Sequence, residues 1–230
     1  MSGPTKTLRP DAVPVDDAER LEALEKTGLP DSPAEICFDR LTDLAADALY
    51  APVALVSLVD NRRQFFKSAR GLPEPWASMR QTPLSHSFCQ HVVNSGTPLV
   101  VADAPENPVV CDNLAIRDLG VKAYLGVPLR TPDGHVLGAF CAIDGVAREW
   151  TERDRRIMEA LADLVMVEIA SRYRTQQLIG QHQQISTYEA ALREIRGRLE
   201  KLEHDVTDSP DSEAAWARQI HALLQLVQNT

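Results

Sequence analysis

VKAYLGVPLRTPDGHVLGAFCAID, residues 121–144, is the stretch on which the fold turns. Two apolar runs of strand length flank Pro132-Asp133-Gly134, and turn residues set between such runs specify a β-hairpin. Working outward, VALVSLV (Val53–Val59) is apolar on both faces, as expected of a central strand. Asp60-Asn61 turns it into a partner strand over Gln64–Ala69, and Pro98–Asp103 reads as a further short strand. Strands joined by tight turns predict a largely antiparallel sheet, and the helical segments between them make the class α+β.

The helices follow a different period. Between about Pro33 and Tyr50 the apolar residues Ile36, Phe38, Leu41, Leu44, Ala45, Ala48 and Leu49 recur at three and four, one stripe of an amphipathic helix. An earlier helix is expected to begin at Asp16, which stands three residues before Glu19 in capping-box spacing, and to end at Gly28-Leu29-Pro30. Ser85–Gly96 reads as a short helix closed by glycine, and Asn113–Leu119 as one helical turn. GLPEPWASMRQTP (71–83) reads as loop by its prolines, and residues 1–15, with three prolines and no periodicity, as a flexible leader.

From Thr151 onward a single long helix is expected. Heptad a positions fall at Ile157, Leu164, Ser171, Leu178, Ile185, Leu192, Leu199 and Val206, and d positions at Ala160, Val167, Arg174, Gln181, Tyr188, Ile195 and Leu202. A sustained 3.5-residue seam predicts a coiled coil and hence a homodimer, its interface carried by Leu164, Leu178, Ile185, Leu192, Ile195, Leu199 and Leu202. DSPDSE (208–213) breaks that helix. In the short amphipathic helix expected after it, Trp216, Ile220, Leu223, Leu224 and Val227 share one face, which needs a partner surface to cover it. The domain organisation is therefore leader 1–15, a sensor domain 16–172, a coiled-coil helix 173–207 and a terminal helix 208–230.

Composition narrows the function classes. The 230 residues carry a formal charge of −9, which opposes electrostatically driven binding to nucleic acid or anionic membranes. No window has the eighteen apolar residues of a membrane span, and the N-terminus lacks a signal-peptide core. Cys37, Cys89, Cys111 and Cys141 form no CxxC pair, so a cytoplasmic protein with free thiols is expected.

Several phrases, in order, carry a resemblance. They are LEALEKTGL (21–29), FDRLTDLAA (38–46), VALVSLVDNRRQFFKSARGLP (53–73), SFCQHVV (87–93), LVVADAPENP (99–108), AYLGVPLRTPDGHVLGAFCAID (123–144) and the Trp150–Asp154 opening of the long helix. Together these resemble GAF domains of bacterial signalling sensors. The resemblance implies a central antiparallel sheet with helices on one face, a ligand pocket on the other, and first and last helices that pack on a second subunit.

Such domains bind cyclic nucleotides, bilins, haem or small metabolites, and one branch reduces free methionine sulfoxide. The cyclic-nucleotide pattern is partly present in Trp150-x3-Asp154, but Arg155 stands where an acid belongs and Ile143-Asp144 replaces Asn-Lys. A bilin cysteine would fall at Cys111, ten residues before Val121-Lys122-Ala123, but Asp112 stands where histidine usually follows. The reductase pattern of a catalytic cysteine followed by aspartate matches Cys111-Asp112, with Cys89 resolving. Of the acids that hold its substrate only Asp144 is a candidate, and Tyr124-Leu125 stand where another belongs. His86, Cys89 and His91 could approach a metal, but a fourth ligand is lacking and no metal is expected.

The reading that fits best is a non-enzymatic sensor whose pocket is lined by Phe88, Cys89, Asp103, Cys111, Asn113, Tyr124 and Asp144. Ligand occupancy is expected to be transmitted through the coiled coil to a partner effector in trans, since no kinase, cyclase, phosphatase or helix-turn-helix signature is visible. Trp216, Ile220, Leu223 and Leu224 are the expected partner contact. A purely structural dimerisation module is the competing class.

Overall fold

A computed structural model describes residues 14–208, with side chains as far as Lys201 except Gln176 and Leu199. Most of the expected leader, the seam positions Leu199, Leu202 and Val206, and the Trp216, Ile220, Leu223 and Leu224 contact lie outside what it describes. Two compact units divide between Arg174 and Thr175.

The first unit is built on a six-stranded antiparallel sheet. In chain order its strands are β1 (Val53–Val59), β2 (Arg63–Arg70), β3 (Gln81–Pro83), β4 (Leu99–Val101), β5 (Ala123–Arg130) and β6 (Val136–Asp144), arranged β3-β2-β1-β6-β5-β4. The 121–144 hairpin forms as read, with Gly126 opposite Cys141 and Val127 opposite Phe140. Its turn holds Gly134 at φ 94°, open to glycine at little cost. β6 then pairs with β1, from Val53 opposite Ile143 to Leu58 opposite Gly138. Gly138 is obligatory there: a Cβ would lie 1.9 Å from the Ser57 carbonyl oxygen.

Side-chain alternation divides the sheet into two faces. On one face Val56, Leu58, Leu125, Val127, Leu129, Phe140 and Ala142 pack under α1 (Ala18–Lys26), α2 (Ile36–Leu49) and the start of α6 (Glu152–Asp208). The other face carries Leu55, Val59, Phe66, Tyr124, Ala139 and Cys141 beneath α4 (Cys89–Ser95), α5 (Ala115–Asp118) and the loops around them. α6 enters through a reciprocal cap: Thr151 Oγ1 accepts from the Asp154 amide (3.1 Å), and the Asp154 carboxylate accepts from the Thr151 amide (2.9 Å). It buries Met158, Leu161, Ala162, Val165 and Ile169, at helical spacing, on the sheet.

Three expectations need correction. The cap of α1 is Asp17, whose carboxylate accepts from the Arg20 amide (2.8 Å), so the cap falls one residue after Asp16 and Glu19 does not complete a capping box. The 71–83 stretch is not all loop: it contains α3 (Trp76–Met79) and the edge strand β3. Pro75 lies just before α3, where no helical donor is required, and Pro83 ends a strand at the sheet edge, so proline forbids neither. The expected Ser85–Gly96 helix is split into a 3₁₀ turn, Leu84–His86, and α4, because Ser87 Oγ accepts from the Gln90 amide (3.1 Å) and starts the helix later.

Two buried cations escaped the sequence reading. Arg20 is fully buried and donates to the carbonyls of Val59 (2.8 Å), Val136 (3.3 Å) and Val15, tying α1 to the ends of β1 and β6. Lys67 is the extra residue of a bulge, since Val56 faces Ser68 while Ser57 faces Phe66. The bulge turns Lys67 and Ser68 together toward α2. Lys67 Nζ donates to Ser32 Oγ (2.8 Å), the Pro33 carbonyl (2.6 Å) and Glu35, while Ser68 Oγ bonds Thr42 (2.9 Å) and Asp39 (2.6 Å). Glu35 also pairs with Arg172 of α6. Burial, then the Arg80 charge, lowers the Lys67 pKa to about 8.

Among the described residues no helix is long and apolar enough to cross a membrane.

Candidate functional site

The residues expected to line one pocket are divided between two places on the loop-covered face. Phe88 and Cys89 enter at the start of α4, which turns them onto the sheet because Val92 and Val93 of the same short helix are buried with them. There they meet Tyr124 of β5, whose ring centroid lies 5.3 Å from that of Phe88. Tyr124 lies flat along its own strand because Gly126 has no side chain; a Cβ there would stand 2.1 Å from the Tyr124 hydroxyl oxygen. That hydroxyl donates to Cys89 Sγ (3.3 Å), and Cys141 Sγ of β6 lies 3.8 Å from Cys89 Sγ. Beside them is a cavity of about 20 Å³, with Phe88, Cys89 and Tyr124 in its wall together with Gln64, Thr82 and His86.

Cys111 and Asn113 belong to a second site. They line a cleft of about 270 Å³ with Ser85, Gln90, His91 and Asp112. Asn113 shapes its floor: the side-chain amide donates to the Ser87 carbonyl (3.1 Å), and its oxygen accepts from the Ala115 amide (3.0 Å). Cys111 is exposed on this wall. Cys89, buried beside Cys141, is not part of this wall, so the pairing of Cys111 with Cys89 that the alternative reductase pattern requires is not assembled here.

Asp103 and Asp144 line neither site. Asp144 serves the junction into α6, where it pairs with Arg148 (3.2 Å). Arg148 also donates to the Leu49 carbonyl (3.0 Å) and stacks 4.3 Å from the Trp150 ring centroid. Trp150 in turn donates its indole N–H to the Val101 carbonyl (3.1 Å). Trp150 and Asp154 are therefore a packed aromatic and a helix cap. Asp103 keeps one carboxylate oxygen buried without a hydrogen-bond partner.

His86 lies between the cavity and the cleft. Its Nε2 is 3.0 Å from the Asp118 carboxylate and its Nδ1 is 3.0 Å from Ser85 Oγ, with Trp76 at 5.2 Å. Both nitrogens are thus engaged, and the Asp118 carboxyl is pulled down to about 2, first by Arg117 and then by His86. Among the described residues no three His, Cys, Asp or Glu side chains gather as a metal site.

The cleft presents amide, imidazole, thiol and carboxylate groups around a space for a small polar molecule. The cavity is lined mostly by apolar side chains, with the Cys89 thiol and the Thr82 and Tyr124 hydroxyls among them.

Comparison with known proteins fits the geometry. The GAF domain family model matches residues 33–169. A cyclic di-GMP phosphodiesterase of Pseudomonas aeruginosa is 34% identical over 158 residues, 68% of this chain and 26% of that protein. A diguanylate cyclase of Escherichia coli is 33% identical over 67 residues, 29% of this chain and 20% of that one. The chain thus matches about a quarter or less of the length of these relatives.

Two solved structures share the fold. The GAF domain of an Acinetobacter phosphoenolpyruvate-protein phosphotransferase has a TM-score of 0.51 at 18% identity, covering 69% of this chain and 96% of that one. The corresponding domain from Coxiella burnetii has a TM-score of 0.51 at 16% identity, covering 71% and 95%. With a six-stranded antiparallel sheet, helices on one face and the pocket residues on the other, the chain belongs to the GAF domain family.

Proposed function

We propose that this GAF domain is a non-enzymatic, cytoplasmic signalling sensor that binds a small molecule and reports its occupancy through a homodimeric coiled coil. The observation that carries the reading is the two-sided use of α6. Its first turns bury Met158, Leu161, Val165 and Ile169 on the sheet, while Leu164 (51% exposed) and Val167 (65%) face away. The same helix goes on to expose Leu178, Ile185, Tyr188 and Leu192 at heptad spacing. An aliphatic seam of this length is stable in water only when covered, and a second copy covers it with an identical seam.

In mechanism, a ligand held in the cleft around Cys111 and Asn113 bears on α4 and α5. The sheet carries the change to α6 through residues that alternate between its faces. A ligand with different affinity for two packings of the dimer shifts their populations, and no chemical step is required. The effector belongs to a partner. The relatives named a cyclic di-GMP phosphodiesterase and a diguanylate cyclase support cyclic-dinucleotide signalling as the setting.

The test is native mass spectrometry of the full chain purified from cells, compared with the denatured chain. A non-protein mass released on denaturation, and lost after Asn113→Ala, supports the reading. A chain that retains no small molecule and takes up none from a metabolite extract contradicts it.

A further inference from the structure

Cys89 and Cys141 are not explained by ligand recognition in the cleft. Their sulfurs lie 3.8 Å apart, on α4 and on β6, both buried. The pair is surrounded by hydroxyl groups. Tyr124 Oη donates to Cys89 (3.3 Å), and Ser57 Oγ is buried on the same face with no other hydrogen-bond partner. The neighbouring cavity of about 20 Å³ has room for one molecule about the size of water, and Thr82 Oγ1 in its wall is also buried without a partner. Half-buried His86, Leu72 and Ile143 complete the wall toward the surface. The rest of the wall is apolar, from Leu55, Phe66, Phe88, Leu119 and Val121, so the Cys89 thiol and the Thr82 and Tyr124 hydroxyls are among its few polar groups, and a small uncharged oxidant suits it.

We infer that Cys89 and Cys141 are a peroxide-responsive dithiol that closes to a disulfide between α4 and β6. Hydrogen peroxide enters the cavity, hydrogen-bonded by Thr82 and Tyr124. The Cys89 thiolate sulfur attacks one peroxide oxygen, the O–O bond breaks, and the departing hydroxide takes a proton to become water. The resulting Cys89 sulfenic acid is attacked by the Cys141 sulfur. The S–O bond breaks as the S–S bond forms, and the leaving hydroxide takes the Cys141 proton. In sum two thiols and one peroxide give a disulfide and two waters, with the two thiols supplying both electrons. Thiol reductants of the cytoplasm reverse it.

The order of the steps follows from the surroundings. Burial opposes ionisation of either thiol, but Cys141, Tyr124 and Ser57 all hydrogen-bond to Cys89, and the balance lowers its pKa. Burial and then the adjoining Cys89 push Cys141 up, which makes it the resolving thiol. The consequence reaches the opposite face, because Cys141 is flanked on β6 by Phe140 and Ala142, which pack in the core shared with α6. Disulfide closure does not depend on dimerisation or on a ligand in the cleft.

The experiment treats the folded full chain with hydrogen peroxide, alkylates the remaining thiols, and maps the digest by mass spectrometry without reduction. The expected result is a Cys89–Cys141 linked peptide, with free thiols falling from four to two and recovering on reduction. A Cys37→Ser, Cys111→Ser variant retains only the two buried thiols and is expected to close at the wild-type rate. Cys141→Ser is expected to leave a sulfenic acid on Cys89 that dimedone traps. A Cys89–Cys111 bridge, or oxidation confined to exposed Cys111, would overturn the proposal, and so would failure of the double variant to close.

Discussion

The two faces of the sheet are built by opposite rules. The face beneath α1, α2 and α6 is a dry aliphatic core in which Leu125, Leu129, Phe140 and Val165 are almost wholly buried. Its buried cations are tied to the backbone and to acids: Arg20 caps strand ends, with its Nε left unpartnered, and Lys67 meets two oxygens and a carboxylate. The loop-covered face holds two touching thiols, a buried tyrosine hydroxyl beside them, and the unpartnered hydroxyl of Thr82. One face seats the helices, and the other holds the cleft and the cavity.

That contrast is broken if substitutions on the two faces cost the same. The largest effect is expected for Phe140→Ala, which empties a fully buried site between the sheet and the helices. It is expected to lower the unfolding free energy by about 3–5 kcal/mol in denaturant titration. A loss below ~1 kcal/mol would mean the helix face is not the tight core described.

Lys67→Met tests the same face by pH. The folded pKa of Lys67 lies near 8, below the 10.5 of an unfolded lysine. The penalty for burying its charge is therefore complete below about pH 8 and fades as the pH rises to about 10.5, where the unfolded chain also loses the proton. Wild-type stability is expected to gain on the order of 1–3 kcal/mol from Lys67 across that window, and Lys67→Met to remove this component. Glu35 retains Arg172 as its partner in the variant. An unchanged pH profile would show that the triple hydrogen bond holds Lys67 charged throughout.

The smallest effect belongs to the loop-covered face. Tyr124→Phe removes one hydroxyl from a cluster whose ring packing is untouched, and is expected to cost about 0.5–1.5 kcal/mol. Its sharper readout is thiol chemistry: without the Tyr124 donor, Cys89 is expected to react with peroxide more slowly in the folded protein. Unfolding curves at several pH values and a stopped-flow thiol assay separate the two.

The sheet was legible because its signals are local. A Pro-Asp-Gly turn between apolar runs, or an apolar run on both faces of Val53–Val59, needs no distant partner to be read. The long helix was legible for the same reason, through its period. What remained hidden depends on tertiary contact. The bulge that turns Lys67 inward leaves no mark in RQFFKSAR, and Arg20 looks like any charged residue on an amphipathic helix. The site was half legible: Phe88, Cys89 and Tyr124 come together, but Cys111 and Asn113 occupy a separate cleft and Asp144 holds the α6 junction. Sequence spacing relates Cys89 to Cys111, whereas the inward turn of α4 relates Cys89 to Cys141, 52 residues away.

The account rests most heavily on the exposed aliphatic seam of α6, and sedimentation equilibrium of the full chain at micromolar concentration tests it directly. The expected result is a mass twice the 25.4 kDa of one chain, reduced to a single chain by Ile185→Asp with Leu192→Asp while the circular dichroism of the GAF domain is retained. A wild-type chain that sediments at 25.4 kDa, or a dimer indifferent to both substitutions, would contradict it.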